Sequence, residues 1–480
     1  MRQLNMMYLV RSAAPVLAVI AAISFGQIAV AENMLDVYES AKENDAFLRA
    51  SRAGFAATEQ AIPQARSALL PSLGAQASTS WTERQFPGSS ISNDPTSPLF
   101  GREVPDQNYN DHSWSAQLRQ PILNMESWFN LSSAKSSVNA AEYDLQATEQ
   151  ELILRTVQAY LNVLRAQDLL DSTTAEETAV KRQLEQVQQR FEVGLVAITD
   201  VLESQAVYDS AVVRRIQADG DHDIFFESLG TLTGITYDNL DRLSEKLPIV
   251  NPNPLDESAW VEQALRSNLN IRAAQEQLSA ASSNYRARAS GHLPTIDATI
   301  TQVHSVTGVE NFFGPDTTEQ TVYGLQLNLP LYTGGLTRAR TKEAGALRRQ
   351  AQELLLNQQR TVTRDVRNLF QAVATDVVRV KARLKAITSS QSALEAVETG
   401  YEVGTRNIVD VLQAQQLLFR SQFDYADSRY NYVFDLLLLK DAAGSLVGAD
   451  LEELDTFTDP NDQVTRLVSL RNSTGNTATK

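Results

Sequence analysis

The chain contains no cysteine. Disulfides, thiolate metal sites and cysteine nucleophiles are therefore excluded outright. Histidine is scarce. His112, His222, His292 and His304 are the four, none is paired at metal-ligand spacing on a helix, and no HExxH occurs. There is also no Walker loop and no GxGxxG. "GTLTG" at Gly230 reads as a helix end, "TGG" at Thr333 as a turn between strand and helix, and Glu452 with Glu453 as part of a solvated acidic face. With no reactive constellation, no catalytic residue, cofactor or metal is expected, and neither is an enzyme. Positive charge is short too: 42 Lys and Arg stand against 58 Asp and Glu, a net of -16. That balance argues against nucleic acid as a partner.

Long apolar runs are missing except at the start. Arg2 and Arg11 precede "SAAPVLAVIAAISFG", and Ala29-Val30-Ala31 fits a small-x-small cleavage pattern. The run is about fifteen residues, short of the roughly 20 that a spanning helix needs. Residues 1–31 are expected to be a signal peptide rather than an anchor. Their loss removes two arginines and leaves a net charge of -18. No later segment offers 18 consecutive apolar residues. An exported chain without a spanning helix is expected.

What is present is a repeat. "RFEVGLVAITDVLESQ" begins at Arg190 and "GYEVGTRNIVDVLQAQ" at Gly400; from Phe191/Tyr401 to Gln205/Gln415, eight of fifteen pairs are identical. "AKENDAFLRA" at Ala41 matches "ALRSNLNIRA" at Ala264, and "LLPSL" at Leu69 matches "HLPTI" at His292, both at an offset of 223. "QPIL" at Gln120 matches "LPLY" at Leu329 at an offset of 209, so the second half is 14 residues shorter between those markers. Residues 32–245 and 246–457 are read as two structural repeats, each ordered helix, strand, loop, strand, long helix, Gly turn, helix. The polar stretch 458–480 is read as a disordered tail.

Period-two alternation marks strands near 72–82, 112–123, 295–304 and 322–332. Leu73, Ala75, Ala77, Thr79 and Trp81 share one face of the first; Tyr323, Leu325, Leu327, Leu329 and Leu331 share one face of the last. The loops Thr82 to Asp111 and His304 to Thr321 are long and polar, as outer loops of a membrane barrel are. Between the strands and the Gly turns, no proline or glycine interrupts Ser127 to Gln189, and only Gly345 interrupts Leu336 to Thr399. A helix over the first span would reach roughly 95 Å. Leu131, Val138, Leu145, Leu152 and Ala159 recur every seventh residue, a seam for supercoiled packing. Such helices are too polar to cross a bilayer. A periplasmic coiled-coil rod or adhesin stalk would explain them, but not the strands. Four strands cannot close a barrel, and open edges in lipid are costly. The expected fold is mixed α+β: a homotrimer that shares one barrel, four strands per chain and twelve in all, with helical hairpins extending through water away from the lipid and both tips at the far mouth.

"RFEVGLVAITDV", "GHLPTIDATI", "LPLYTGG" and "YEVGTRNIVDVL", in that order, resemble the outer membrane factor family of trimeric export ducts over nearly the whole mature chain. The resemblance implies a twelve-stranded outer-membrane barrel, a twelve-helix periplasmic tunnel and a passive role in multidrug efflux or type I secretion. It implies a periplasmic adaptor (membrane fusion protein) and an inner-membrane pump or ABC transporter as partners. It also implies a belt from residues near Leu232 to Pro254 and Leu446 to Phe457. Carried over by motif, a periplasmic gate would link Arg406 to Thr199 and Asp200, and Tyr401 to Asp200, with Asp410 forming a ring of three carboxylates. The family often has a second Asp in "VDVLD"; here it is Gln413, which halves the ring's charge. Without the family, Asp200 and Asp410 also suit helix starts. Arg406 and Tyr401 replace Val196 and Phe191 of the first copy, changes a helix start does not need. Val193, Gly194, Leu195 and Val403, Gly404, Thr405, at tips near 191–199 and 401–409, are expected adaptor-docking points; a plain tight turn is the simpler reading of the same glycines.

Overall fold

The computed structural model describes residues 32–85, 95–96, 100–101, 106–308 and 316–466. The expected signal peptide, and the tail beyond residue 466, lie outside the described residues.

Three short helices open the chain: α1 (Met34–Asn44), α2 (Ala46–Glu59) and α3 (Ala61–Ser67). Strands β1 (Ser72–Arg84) and β2 (Gln107–Leu123) follow, then α4 (Met125–Glu192), α5 (Ile198–Thr233) and β3 (Asn239–Leu243). The second half runs α6 (Glu257–Ser267), α7 (Leu269–Ala289), β4 (Thr295–Thr307), β5 (Asp316–Asn328), α8 (Leu336–Glu402) and α9 (Ile408–Ala442). The chain closes with α10 (Gly448–Asp455) and β6 (Thr458–Thr465).

The repeat is physical. Asp45 caps α2 by accepting from the Leu48 N–H at 2.6 Å, and Asn268, at the matched position, caps α7 by accepting from Ile271 at 3.2 Å. Each half places one N-cap carboxylate or amide where the chain turns between two helices. The shortening of the second half falls between its strands: residues 85–106 join β1 to β2, while only 308–315 join β4 to β5.

The four long strands form one antiparallel sheet in the order β1-β2-β4-β5. Its register aligns Leu73, Leu118, Ile300 and Tyr323 in one row and Gln76, Ser115, Val303 and Gln320 in another. Side chains alternate across the pleat, so one face is mainly apolar and the other mainly Ser, Thr and Gln. Leu73, Trp81, Tyr323, Leu325 and Leu327 are all exposed, because no core lies behind the sheet. The strands exceed the expected spans and the loops are correspondingly shorter. β5 is displaced, starting at Asp316 and ending at Asn328 rather than near 332. Pro330 has no N–H for the ladder, and "YTGG" turns the chain into α8.

α4 and α8 are unbroken at 68 and 67 residues. Asn124 caps α4 by accepting from Ser127 at 3.0 Å. On the seventh-residue seam Leu131, Val138 and Leu152 are buried. Among the described residues, no helix is long and apolar enough to cross a membrane. Towards the tips the helices pack in the order α5-α4-α9-α8, while nearer the sheet α7 lies between α4 and α8. The main core sits midway, where Tyr160, Leu161, Leu164, Phe226, Val366, Val373, Tyr430 and Leu437 are enclosed by α1, β3 and α10.

The tail departs from expectation. Residues 458–465 are a strand paired antiparallel with β3, Val464 is buried, and Arg466 forms an ion pair with Glu227. Polar composition does suggest disorder, but β3 supplies a partner edge that composition does not reveal.

Asp376 of α8 is buried with its carboxyl against Asp435 of α9, and Arg379 lies 2.7 Å away. Burial first, then the Asp435 carboxyl, push its pKa up to about 6 despite Arg379. The folded chain therefore holds this proton more tightly than the unfolded one. Stability from this site is full below the unfolded value of 3.8 and is lost as pH rises through 6. Asp376→Asn should raise the urea midpoint at pH 8, and the gain should vanish as pH falls toward 4. An equal gain at both pH values would assign the effect to packing instead.

Candidate functional site

The two hairpin tips are built alike. In the first, the Leu195 N–H donates to the Arg190 carbonyl at 2.9 Å and Gly194 to Phe191 at 2.9 Å. In the second, Thr405 donates to Gly400 at 2.8 Å and Gly404 to Tyr401 at 3.1 Å. These paired bonds are the Schellman closure, which needs a left-handed residue after the helix. Gly194 and Gly404 supply it with φ of 80° and 78°. Each turn thus satisfies its helix's last carbonyls from the backbone, with the Thr405 hydroxyl adding a second bond to the Gly400 carbonyl at 3.0 Å, and its apolar residues are left outside. Val193, Leu195 and Val403 are 71, 73 and 69% exposed.

The restart of each helix differs. Asn407 caps α9 reciprocally: its side chain accepts from the Asp410 N–H at 2.8 Å, and Asp410 accepts from the Asn407 N–H at 3.5 Å. Asp410 is therefore a helix cap as well as a ring candidate. Ala197 precedes α5 without a side-chain cap, and Asp200 lies in the first turn. Both tips share one apolar cluster, in which Val187, Ile408, Val411 and Leu412 are buried and Val196 and Tyr401 pack at the margin.

The expected gate residues gather at this end but do not bond as expected within one chain. The Arg406 guanidinium lies 3.8 Å from Asp410, and Thr199 Oγ1 donates to Asp200 at 3.4 Å. Among the described residues, neither Arg406 nor Tyr401 bonds to Thr199 or Asp200. The layer order explains this: α4 and α9 separate α5 from α8. Tyr401 instead lies under the Arg190 guanidinium, 4.9 Å from ring centre to Cζ, and its hydroxyl is buried without a partner. Gln413 is exposed.

Two residues were missed in the sequence. Arg190 joins the tips through Tyr401, and Gly400 makes room for Arg406. A Cβ on Gly400 would stand 2.8 Å from Arg406 Cγ. The signal was available as an exchange. The first copy has Arg190 with Val196, the second has Gly400 with Arg406, so each tip carries one arginine at a different position.

The family description "Outer membrane efflux protein" matches residues 37–235 and 260–445. The chain belongs to the outer membrane efflux protein family. It is 34% identical over 447 residues to outer membrane protein TolC of Escherichia coli K12, covering 91% of this chain and 87% of the relative. It is 26% identical over 426 residues to the alkaline protease secretion protein AprF of Pseudomonas aeruginosa, covering 88% and 87%. The solved structure of the Campylobacter jejuni CmeC outer membrane channel shares the fold, with a TM-score of 0.72 at 17% identity over 95% of this chain and 98% of that one. This efflux family member is thus an outer-membrane exit duct of the efflux and type I secretion class, not an enzyme. Its fold is that of one chain of a trimeric channel, four barrel strands continued by a periplasmic helical tunnel.

Gly194→Ala and Gly404→Ala should each cost about 1 kcal/mol at the turn. Tip amides should then exchange roughly five times faster, with the mid-tunnel core unchanged. Unaltered tip exchange would contradict the left-handed closure.

Proposed function

We propose that the six tips of a trimer form a closed periplasmic mouth, opened when an adaptor engages them. The observation that carries this reading is Arg406. Gly400 gives it room, its one ion pair among the described residues is long, and its side chain is 59% exposed at 3.8 Å from Asp410. A guanidinium with five donors and one distant acceptor is poised for further partners. Thr199 and Asp200 of a neighbouring copy are the partners this reading supplies, and Asp200 accepts from the orphan Tyr401 hydroxyl once that side chain turns out from beneath Arg190. Asp410 from three copies forms the narrowest ring. With Gln413 neutral, that ring holds one carboxylate per chain and is expected to bind divalent cations weakly.

Exposed polar links contribute only about 0–1 kcal/mol each. Summed over three copies they bias the mouth shut, yet a docking partner can break them. The exposed Val193, Leu195, Val403 and Thr405 around Gly194 and Gly404 give an adaptor's helical hairpin an apolar surface with close backbone approach. An inner-membrane pump or ABC transporter supplies cargo and energy, because the duct has no chemistry of its own.

In planar bilayers, Arg406→Ser combined with Tyr401→Phe should raise single-channel conductance severalfold. Unchanged conductance would remove both from the latch. Asp410→Ala should reduce cation selectivity and divalent block, and unaltered selectivity would place Asp410 away from the constriction.

A further inference from the structure

The layer α5-α4-α9-α8 leaves two helix faces without partners among the described residues, and their charges oppose. α8 carries twelve Lys and Arg against seven Asp and Glu; α5 carries two against seven. Opposite its α4 contact, α5 presents Leu202, Val213, Ile216 and Ile224, each more than half exposed, with Ala206, Asp209 and Gly220 on the same stripe. From Leu202 to Gly220 the spacing is the alternating three and four of a supercoil seam. Opposite its α9 contact, α8 presents Val378, Ala382, Lys385, Ser389, Ser392 and Ala396 at the same alternation. One seam is large and branched, the other small. Among the described residues, Lys381 and Lys385 have no carboxylate within ion-pair distance, and Asp209 is engaged only by Gln205.

Heights from the tips can be compared, because both tips meet in one cluster and Arg190 stacks on Tyr401. α5 runs away from its tip and α8 runs toward its own, so a neighbouring pair is antiparallel. At 1.5 Å per residue, Asp219 is about 37 Å from Gly194 and Lys381 about 34 Å from Gly404. Asp209 is about 22 Å and Lys385 about 28 Å from the same turns, an offset that a lysine stem spans. Ala206 and Ser392, mid-seam, are both at about 18 Å.

Around the three-copy tunnel the α5 edge of one copy adjoins the α8 edge of the next, and we infer that Asp219 there meets Lys381 and Asp209 meets Lys385. This rests on the trimeric reading and deepens it. Sliding either helix by a heptad, about 10 Å, would leave one of the two acids beyond a lysine's reach, so these charges favour one register and keep the contact head-to-tail. Unlike edges cannot pair with themselves, and such a contact closes into a ring.

The absence of native cysteine makes the test clean. In the full-length protein in detergent, Ala206→Cys with Ser392→Cys should give covalently linked chains, up to a trimer, on treatment with a short bismaleimide. A three-copy particle by native mass that yields only uncrosslinked chains overturns the edge assignment and spares the trimer. A single-copy particle overturns both. Reversing one edge, Lys381→Glu with Lys385→Glu or Asp209→Lys with Asp219→Lys, should raise trimer dissociation at least roughly tenfold. Combining the two reversals should restore it to near the native value. A combined variant no tighter than either reversal alone would overturn the Asp–Lys register.

Discussion

Two rows of backbone groups govern this molecule. β1 and β5 are the edges of a four-stranded sheet, and each presents N–H and C=O groups with no partner among the described residues. In hydrocarbon each such group costs several kcal/mol. The apolar row Leu73, Leu118, Ile300 and Tyr323 requires lipid on one side of that sheet, so the edges cannot be left to water. Identical chains must supply the missing neighbours. A ring of three sheets then leaves a lumen lined by the Ser, Thr and Gln face.

The rest is geometry imposed by that ring. A strand from each half hands the chain to a helix of nearly 70 residues, and both helices leave by the same end of the sheet. Glycine turns send the chain back, so both tips lie at the far mouth. Rigidity comes from the middle, where Tyr160 donates to the Asp241 carbonyl and Tyr430 to Asp168 inside the main core. The tips, by contrast, are held by a small apolar cluster and polar contacts that are individually weak, which suits the opening proposed for them. A duct needs that division: a fixed wall and one end that a partner can rearrange.

Much of this was legible in the residues, because its causes are local. Alternation marked all four barrel strands, the glycines marked both turns, and the Asp45 and Asn268 caps explain why their flanking segments align. The 14-residue shortening between halves landed in a strand connection. What stayed hidden depends on distant partners. β6 reads as a polar tail, since its pairing with β3 and its tie from Arg466 to Glu227 join residues more than two hundred positions apart. The end of β5 depends on Pro330 rather than on alternation, which continues to Leu331. At the tips, the Arg190 to Tyr401 stacking and the room that Gly400 makes for Arg406 show only when the repeats are compared for what differs. Asp410 serves as a cap whether or not it also lines a ring, so its identity alone could not separate those roles.

The barrel depends on shared edges, and amide hydrogen exchange on the protein in lipid nanodiscs tests them most directly. Every amide in the membrane-embedded parts of β1 and β5 should be as slow as those of the interior strands β2 and β4. If the outward-facing amides of β1 and β5 exchange freely while β2 and β4 remain protected, the sheet is open at its edges and the shared barrel does not exist.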